Sequence, residues 1–248
     1  MNLDQLQRGR VQVRGELLDR VVAELKDRGA VYIQLFGSLA SGNPDWLSDV
    51  DVLAAWPNEE IHGAVDGREN LYHSLGDVLV FHEMPRNRPV GGAYAHVLYA
   101  SSFGPNDLDI YLAPLGSARR VEGTRELYRA PSVAIAPGGW LWDSSAPHVR
   151  SHREQVDWLI CLTDVAAKVL IRGRDPQFLG MLVQRYAEAG EEFFGGMPHF
   201  QPPLDLYDLL PMLAALQPFA DRRQQPAIAE VAAYLERCAG LLANSSRT

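Results

Sequence analysis

Two short segments in the first half of the chain carry residues whose types and spacing suit phosphate chemistry. Gly37 and Ser38 follow an apolar run, and the backbone N–H groups and hydroxyl of such a turn can hold a phosphate. Ten residues further on come Asp49 and Asp51, whose side chains share one face of a strand because strand side chains alternate. Two close carboxylates repel each other unless a cation lies between them, and oxygen ligands favour Mg²⁺.

A later apolar segment supplies a third carboxylate. Asp109 is bracketed by Leu108 and Ile110, and Asp107 competes with it from the same strand face. We assign Asp109, because Asp107 falls at the predicted turn. Three carboxylates on adjacent strands can hold two Mg²⁺ ions for an in-line displacement at phosphorus.

The apolar pattern supplies the strands that this chemistry needs. It predicts a helix over 3–28 and a second helix that starts at 57–60 and runs to about Leu75. Short β-branched and aromatic segments predict strands over 30–36, 49–56, 77–84, 94–101 and 107–114, the last two as a hairpin. The segment 115–148 is interpreted as irregular connection, and the rest as helices over 152–172, 176–192, 205–217 and 226–243.

These elements predict an α+β fold in two parts. The first, over 1–115, is a small mixed β-sheet with flanking helices and carries the candidate catalytic residues. The second, over 116–248, is a C-terminal helical bundle. We expect the bundle to bind the acceptor of the transferred group.

The ordered motif resembles the nucleotidyltransferase superfamily typified by DNA polymerase β. The quoted match is FGS, ten residues, then SDVDVL, with LDIYL supplying the third carboxylate. The helical second half and the segment from Lys168 to Arg172 and Gly173 are similar to those of aminoglycoside and lincosamide adenylyltransferases. One departure is that Leu39 and Ala40 follow the GS pair, where many relatives have Arg.

The resemblance implies a set of site residues and co-substrates. The catalytic metal ligands would be Asp49, Asp51 and Asp109, with two Mg²⁺ ions. The nucleotide, ATP or another NTP, would bind at Gly37, Ser38, Ser48 and Lys168. The reaction would be attack of an acceptor hydroxyl on the α-phosphorus, with pyrophosphate as the leaving group.

The predicted helix 152–172 carries a narrow charged stripe on an otherwise apolar surface. At 100° per residue its members fall in an arc of about 80°: Glu154, Asp157, Cys161, Asp164, Lys168 and Arg172. An ordinary surface helix has a wider polar face, so we interpret the stripe as the lining of a cleft, with Glu154, Asp157 and Asp164 binding the acceptor. The alternative is a thin solvent-facing strip with a simple ion pair between Asp164 and Lys168.

The charge distribution favours a small cationic acceptor. The chain has 23 basic and 31 acidic residues, and residues 1–115 alone carry a net charge of −7 from 9 basic and 16 acidic residues. Binding along a nucleic-acid backbone needs a basic surface, whereas an acidic one attracts cations. We therefore expect transfer of NMP, with AMP from ATP as the first candidate, to a hydroxyl of an aminoglycoside-type antibiotic, and hence a role in antibiotic resistance.

Other functions and the cellular location were also weighed. Protein adenylylation of a toxin–antitoxin type, terminal or tRNA-end transfer, and a nucleotide sensor without turnover all remain as alternatives. The sequence does not indicate the oligomeric state or the general base. With no apolar leader, no membrane-length apolar stretch and two cysteines (Cys161 and Cys238), we expect a cytoplasmic protein without a membrane partner.

Overall fold

The computed structural model describes residues 1–145, 150–173, 175–203 and 205–245. The first elements are α1 (Leu3–Asp27), β1 (Tyr32–Phe36), α2 (Gly37–Ser41), β2 (Val50–Trp56), α3 (Ile61–Asp66) and α4 (Arg68–Ser74). Four strands follow: β3 (Val78–Glu83), β4 (Ala93–Tyr99), β5 (Asn106–Pro114) and β6 (Arg125–Arg129). The remaining elements are α5 (His152–Ile171), α6 (Pro176–Glu192), α7 (Leu209–Leu216) and α8 (Gln224–Ser245), with 3₁₀ turns at Pro85–Asn87 and Leu206–Asp208.

The predicted α+β class is confirmed, and so is each predicted strand to within a few residues. The helix predicted from 57–60 to about Leu75 is instead two helices, α3 and α4, with Gly67 between them. The prediction of irregular connection over 115–148 is wrong for Arg125–Arg129, which form β6. The side chains of this edge strand are exposed or half-buried, so it has no clear apolar alternation that would reveal it.

Six strands form one mixed sheet in the order β3-β4-β5-β2-β1-β6. The neighbours β2 and β5 run parallel at the centre, and the other pairs are antiparallel. Because β6 pairs with β1, the sheet continues beyond residue 115. The parallel pair is the feature that positions the candidate site.

One face of the sheet packs on the N-terminal helices. Its strand residues, among them Val52 and Ile110, form an apolar core with Leu17, Val21 and Leu25 of α1 and with residues of α3 and α4. The i, i+4, i+8 spacing of Leu17, Val21 and Leu25 places them on one face of α1 for this contact. Burial of that stripe fixes the sheet against its first layer.

The opposite face is covered in two places. Near β3 and β4 it packs against α5 and the other C-terminal helices, in a core that joins Val80 and Leu98 to Leu159. Near β1 it is covered by the segment that follows β5, where Ala118 and Trp140 join the apolar cluster that contains Leu53. Of the helices in the described ranges, none is long and apolar enough to cross a membrane.

Candidate active site

The central parallel strand pair brings the predicted carboxylates together. Asp51 of β2 is the register partner of Asp109 of β5. Asp49 lies two residues before Asp51, so the strand alternation turns both side chains to the same face of the sheet. The charges of Asp109 and Asp49 both act on Asp51 and favour its protonated form.

Gly37 allows the Asp51 carboxylate to lie against the turn that follows β1. Its φ is +68°, a backbone conformation that favours glycine, and a Cβ at this position would collide with Asp51 Oδ2. The next residue, Ser38, is half-buried at the start of the five-residue helix α2. The predicted GS turn is therefore in direct contact with Asp51 at Gly37.

Asp51 is held in an environment that disfavours its charge. Burial, together with Asp109 and Asp49, raises the pKa of Asp51 to about 8. No group in the described ranges donates a hydrogen bond to its carboxylate, whereas Asp49 and Asp109 each have partners. A partly buried carboxylate that lacks a donor and faces two other acids is suited to accept a cation.

Asp109 is oriented by two residues of β4. The Tyr94 hydroxyl donates to Asp109 Oδ1 at 2.6 Å, and His96 Nδ1 lies 3.0 Å from the same oxygen. Burial opposes a charge on His96, but Asp109 and Asp107 outweigh it and raise the pKa of His96 well above its usual value. Protonated His96 then donates from Nδ1 to Asp109, with Nε2 3.4 Å from Asp107.

Lys168 of α5 reaches the carboxylates from the helical half. Its Nζ lies 2.5 Å from Asp49, 2.6 Å from Asp107 and 3.4 Å from Asp164. Its burial would lower the pKa of Lys168, but the three carboxylates raise it above the normal value. Because Lys168 is 1% exposed and Asp164 is fully buried, this part of the stripe does not face solvent. In this arrangement Lys168, predicted to bind nucleotide, is paired with acids.

The whole cluster has more acids than bases. In the described ranges its carboxylates are Asp49, Asp51, Asp107, Asp109 and Asp164, and its cationic groups are Lys168, protonated His96 and Arg10, which is 3.9 Å from Asp107. With every group ionised, five negative charges meet three positive ones. Burial and Asp107 accordingly raise the pKa of Asp164 as well. Only with every acid ionised is the cluster two positive charges short of neutrality, and the raised pKa of Asp51 and of Asp164 is the response of the fold to that excess.

The loop between α2 and β2 is fixed by ion pairs and contains the predicted residue Ser48. Ser48 is buried and its hydroxyl donates to Asp45 Oδ1 at 3.1 Å. Arg172, at the end of α5, donates to both carboxylate oxygens of Asp45, at 2.7 and 2.8 Å. Arg14 of α1 donates to the carbonyls of Asp45 and Ser48. Ser48 therefore supports the loop, because its hydroxyl is directed to Asp45 and not to Asp49, Asp51 or Asp109.

The first two predicted acceptor residues of the stripe lie elsewhere. The Glu154 carboxylate accepts a hydrogen bond from the Ser151 backbone N–H in the capping box of α5. Asp157 accepts from Gln224 Nε2 at 2.7 Å and lines a cavity of about 570 Å³ between α5, α8 and the β3 edge. Only Asp164 of the three belongs to the carboxylate cluster.

Sequence reasoning missed several members of this site. His96 was not among the predicted site residues, yet the β4–β5 register places it beside Asp109. The predicted hairpin was the available signal, because alternate residues of one strand must face alternate residues of the other. Asp107 was set aside as a turn residue, whereas it lies inside β5 and binds Lys168.

The site is not recognised by similarity to known proteins. No protein-family model matches the chain, and no curated protein matches it with significant similarity. In the described ranges no three His, Cys, Asp or Glu side chains are already arranged as a metal-binding group. Instead, the Asp49 carboxylate accepts a hydrogen bond from Lys168, and the Asp109 carboxylate is hydrogen-bonded to Tyr94 and His96.

Proposed function

We propose that this chain is a Mg²⁺-dependent nucleotidyltransferase. It transfers NMP, with AMP from ATP as the first candidate, to a hydroxyl of a small cationic acceptor. The observation that carries the proposal is the placement of the partly buried Asp51 beside Asp109 and Asp49, in a cluster whose carboxylates outnumber its cationic groups. Carboxylates that converge from adjacent strands can hold metal ions that support an in-line displacement at phosphorus.

The donor set fits Mg²⁺. Asp51 offers a carboxylate without a hydrogen-bond donor in the described ranges, and the Oδ2 atoms of Asp49 and Asp109 are likewise free of hydrogen bonds there. Hard cations such as Mg²⁺ take oxygen ligands of this kind. When bound, Mg²⁺ would supply charge neutralisation at the phosphates and activation of the attacking hydroxyl.

The residues around the proposed metal ligands would orient them, leave space for them and balance their charge. Tyr94 and His96 fix the orientation of Asp109. Gly37 leaves room for the Asp51 carboxylate, which a larger residue would displace. Lys168 balances Asp49 and Asp107, and a cation at this position suits an anionic polyphosphate once Asp49 binds metal.

The proposal is tested by following pyrophosphate release. The protein is incubated with each NTP, Mg²⁺ and a panel of aminoglycoside and lincosamide antibiotics, and Asp51→Asn is compared with Asp27→Asn, a matched change at an exposed acid of α1. We expect release that requires NTP, Mg²⁺ and an acceptor, that is lost in Asp51→Asn and that is unchanged in Asp27→Asn. Retention of more than about a tenth of the wild-type rate by folded Asp51→Asn would refute the metal-ligand assignment, since loss of a metal ligand should cost at least ~1.4 kcal/mol of transition-state stabilisation.

A further inference from the structure

The candidate carboxylates lie between two unlike walls on one face of the sheet. Alternate residues of β2 and β5 turn to this face, so Tyr111 continues the row that begins at Asp109. On one side α5 brings Lys168 and Arg172. On the other side the segment after β5 brings Trp140, which packs against Tyr111.

The second wall is a continuous group of aromatic rings, which we call the aromatic wall: Phe36, Tyr94, Tyr111, Trp140 and Trp142. Ring centroids are 4.5 Å apart for Tyr94 and Tyr111, 4.7 Å for Phe36 and Trp140, and 5.1 Å for Trp140 and Trp142. Tyr94 also donates to Asp109, so the wall begins at the carboxylates themselves. It ends at Trp142, which is 43% exposed.

The exposed end of the wall is fixed in place. Val90 N–H donates to the Leu141 carbonyl at 2.8 Å, and Asp143 N–H donates to the Arg88 carbonyl at 3.0 Å. The Arg88 side chain forms an ion pair with Asp143 at 2.8 Å. Large apolar side chains normally gain free energy by burial, so a half-exposed tryptophan that continues a contiguous group of aromatic rings is a candidate binding surface.

A cavity of about 380 Å³ lies between this end of the wall and the glycine turn. Its lining includes Phe36, Gly37, Trp140, Trp142 and Glu122, and its described lining contains no Lys or Arg. This volume is within the usual range for small-molecule sites. Aromatic faces beside a carboxylate attract organic cations, whereas the cations Lys168 and Arg172 lie on the opposite wall.

We propose that the aromatic wall is the acceptor subsite and that it takes an amine-bearing ring. The ring stacks on Trp142 and Trp140, and its ammonium group is attracted by Glu122. The inference rests on the proposed function in calling this ligand the acceptor. The polyphosphate of the NTP belongs on the Lys168 side, because an anion would be repelled by Glu122 and find no cation in the described lining of this cavity.

Binding without turnover tests the subsite. Isothermal titration calorimetry measures the dissociation constants of kanamycin, streptomycin and spectinomycin, with maltose as an uncharged ring and ATP–Mg²⁺ as the nucleotide. The variants are Trp142→Phe, which keeps a ring, and Trp142→Leu, which keeps only apolar area. Tyr207→Leu is the matched control, because Tyr207 is a 52% exposed aromatic outside the aromatic wall. Glu122→Gln, at an exposed loop residue, tests the charge even where a tryptophan variant folds poorly.

We expect at least one cationic ring to bind the wild type more tightly than maltose. Trp142→Leu should weaken that binding about tenfold, Trp142→Phe by less than about threefold, and Tyr207→Leu not at all. Glu122→Gln should weaken it in low salt and have less effect in high salt. ATP–Mg²⁺ binding should be unchanged in all four variants.

Three results would overturn the subsite. These are no binding of any cationic ring to the wild type, equal binding by wild type and both Trp142→Leu and Glu122→Gln, or weakened ATP–Mg²⁺ in Trp142→Leu with the ring unaffected. The last would assign the wall to the nucleobase. A different result separates the two proposals: if the cationic ring binds through Trp142 but no NTP yields pyrophosphate with it, the subsite stands and the nucleotidyltransferase proposal fails.

Discussion

Replacing Asp51 by Asn should stabilise the protein without metal and abolish its response to Mg²⁺. The pKa of Asp51 is about 8 in the fold, because of burial and the neighbouring Asp109 and Asp49, and about 3.9 in an unfolded chain. An acid whose pKa is raised by folding binds its proton more tightly in the native state. Its ionisation therefore costs stability as the pH rises from about 4 to about 8, and the asparagine variant escapes that cost.

The size of the effect follows from the shift. At 1.36 kcal/mol per pKa unit, the shift of roughly 4 units is an upper bound of ~6 kcal/mol at pH 8. Partial solvent access to Asp51 and the imperfectly paired amide of the variant reduce this to about 2 kcal/mol. For a chain of 248 residues that corresponds to a rise of about 4–8 °C in Tm.

The assay is a pair of thermal melts at pH 8, one in EDTA and one in excess Mg²⁺. Mg²⁺ at a hundred times its dissociation constant should stabilise the wild type by ~2.7 kcal/mol and the variant hardly at all. The two melting curves should therefore change order when Mg²⁺ is added. The interpretation of Asp51 as a cation ligand would be refuted if Asp51→Asn had a lower Tm than the wild type in EDTA. It would also be refuted if Mg²⁺ raised the Tm of the variant as much as that of the wild type.

The remaining predictions concern the turn, the helix stripe and the buried lysine. Gly37→Ala should lower kcat at least a hundredfold, because the new Cβ would displace Asp51. Gly42 has a similar positive φ but open space around its Cβ position, so Gly42→Ala should keep its activity. Equal losses of kcat in steady-state kinetics would show that backbone strain alone causes the effect. Burial raises the pKa of Asp157 to about 6, so its ionisation destabilises the fold. In urea denaturation, Asp157→Asn should raise the free energy of unfolding by up to ~3 kcal/mol at pH 8 and by about half that at pH 5. An increase that is the same at both pH values would contradict this. Lys168→Met should lower the free energy of unfolding in EDTA by roughly 3–5 kcal/mol, since three carboxylates lose their counter-ion. The same variant should show a larger increase of Tm with Mg²⁺ than the wild type. A smaller increase would contradict the role of Lys168 as the counter-ion of these acids.

The parts of the site that lie on single strands could be predicted from the sequence. Asp49 and Asp51 share a face because side chains alternate along any strand, whatever its neighbours. The apolar brackets of Asp109 likewise marked a buried strand. These local patterns require no knowledge of which strands pair.

The pairing itself could not be read from the pattern. β2 and β5 are far apart in the sequence, and only their parallel register places Asp51 beside Asp109. The same holds for Lys168, whose acidic partners Asp49 and Asp107 belong to another layer. The helical periodicity identified the stripe on α5 but not what it faces.

The region after Pro114 was the least predictable. β6 is an edge strand with mostly polar, solvent-facing side chains, so it has little hydrophobic signal. Trp140 and Trp142 lie beside Tyr111 in irregular backbone, in a segment that an ion pair between Asp143 and Arg88 joins to the loop before β4. Contacts of this kind are set by tertiary structure alone.

The most direct measurement follows which phosphorus of the nucleotide, α or γ, is transferred to the acceptor. The wild-type protein is incubated with Mg²⁺, a cationic ring acceptor and ATP labelled either on the α-phosphorus or on the γ-phosphorus. We expect the α-label to appear in the acceptor and the γ-label in pyrophosphate, with neither transfer in Asp51→Asn. Appearance of the γ-label in the acceptor, or of no label there with any NTP, would contradict nucleotidyl transfer at Asp49, Asp51 and Asp109.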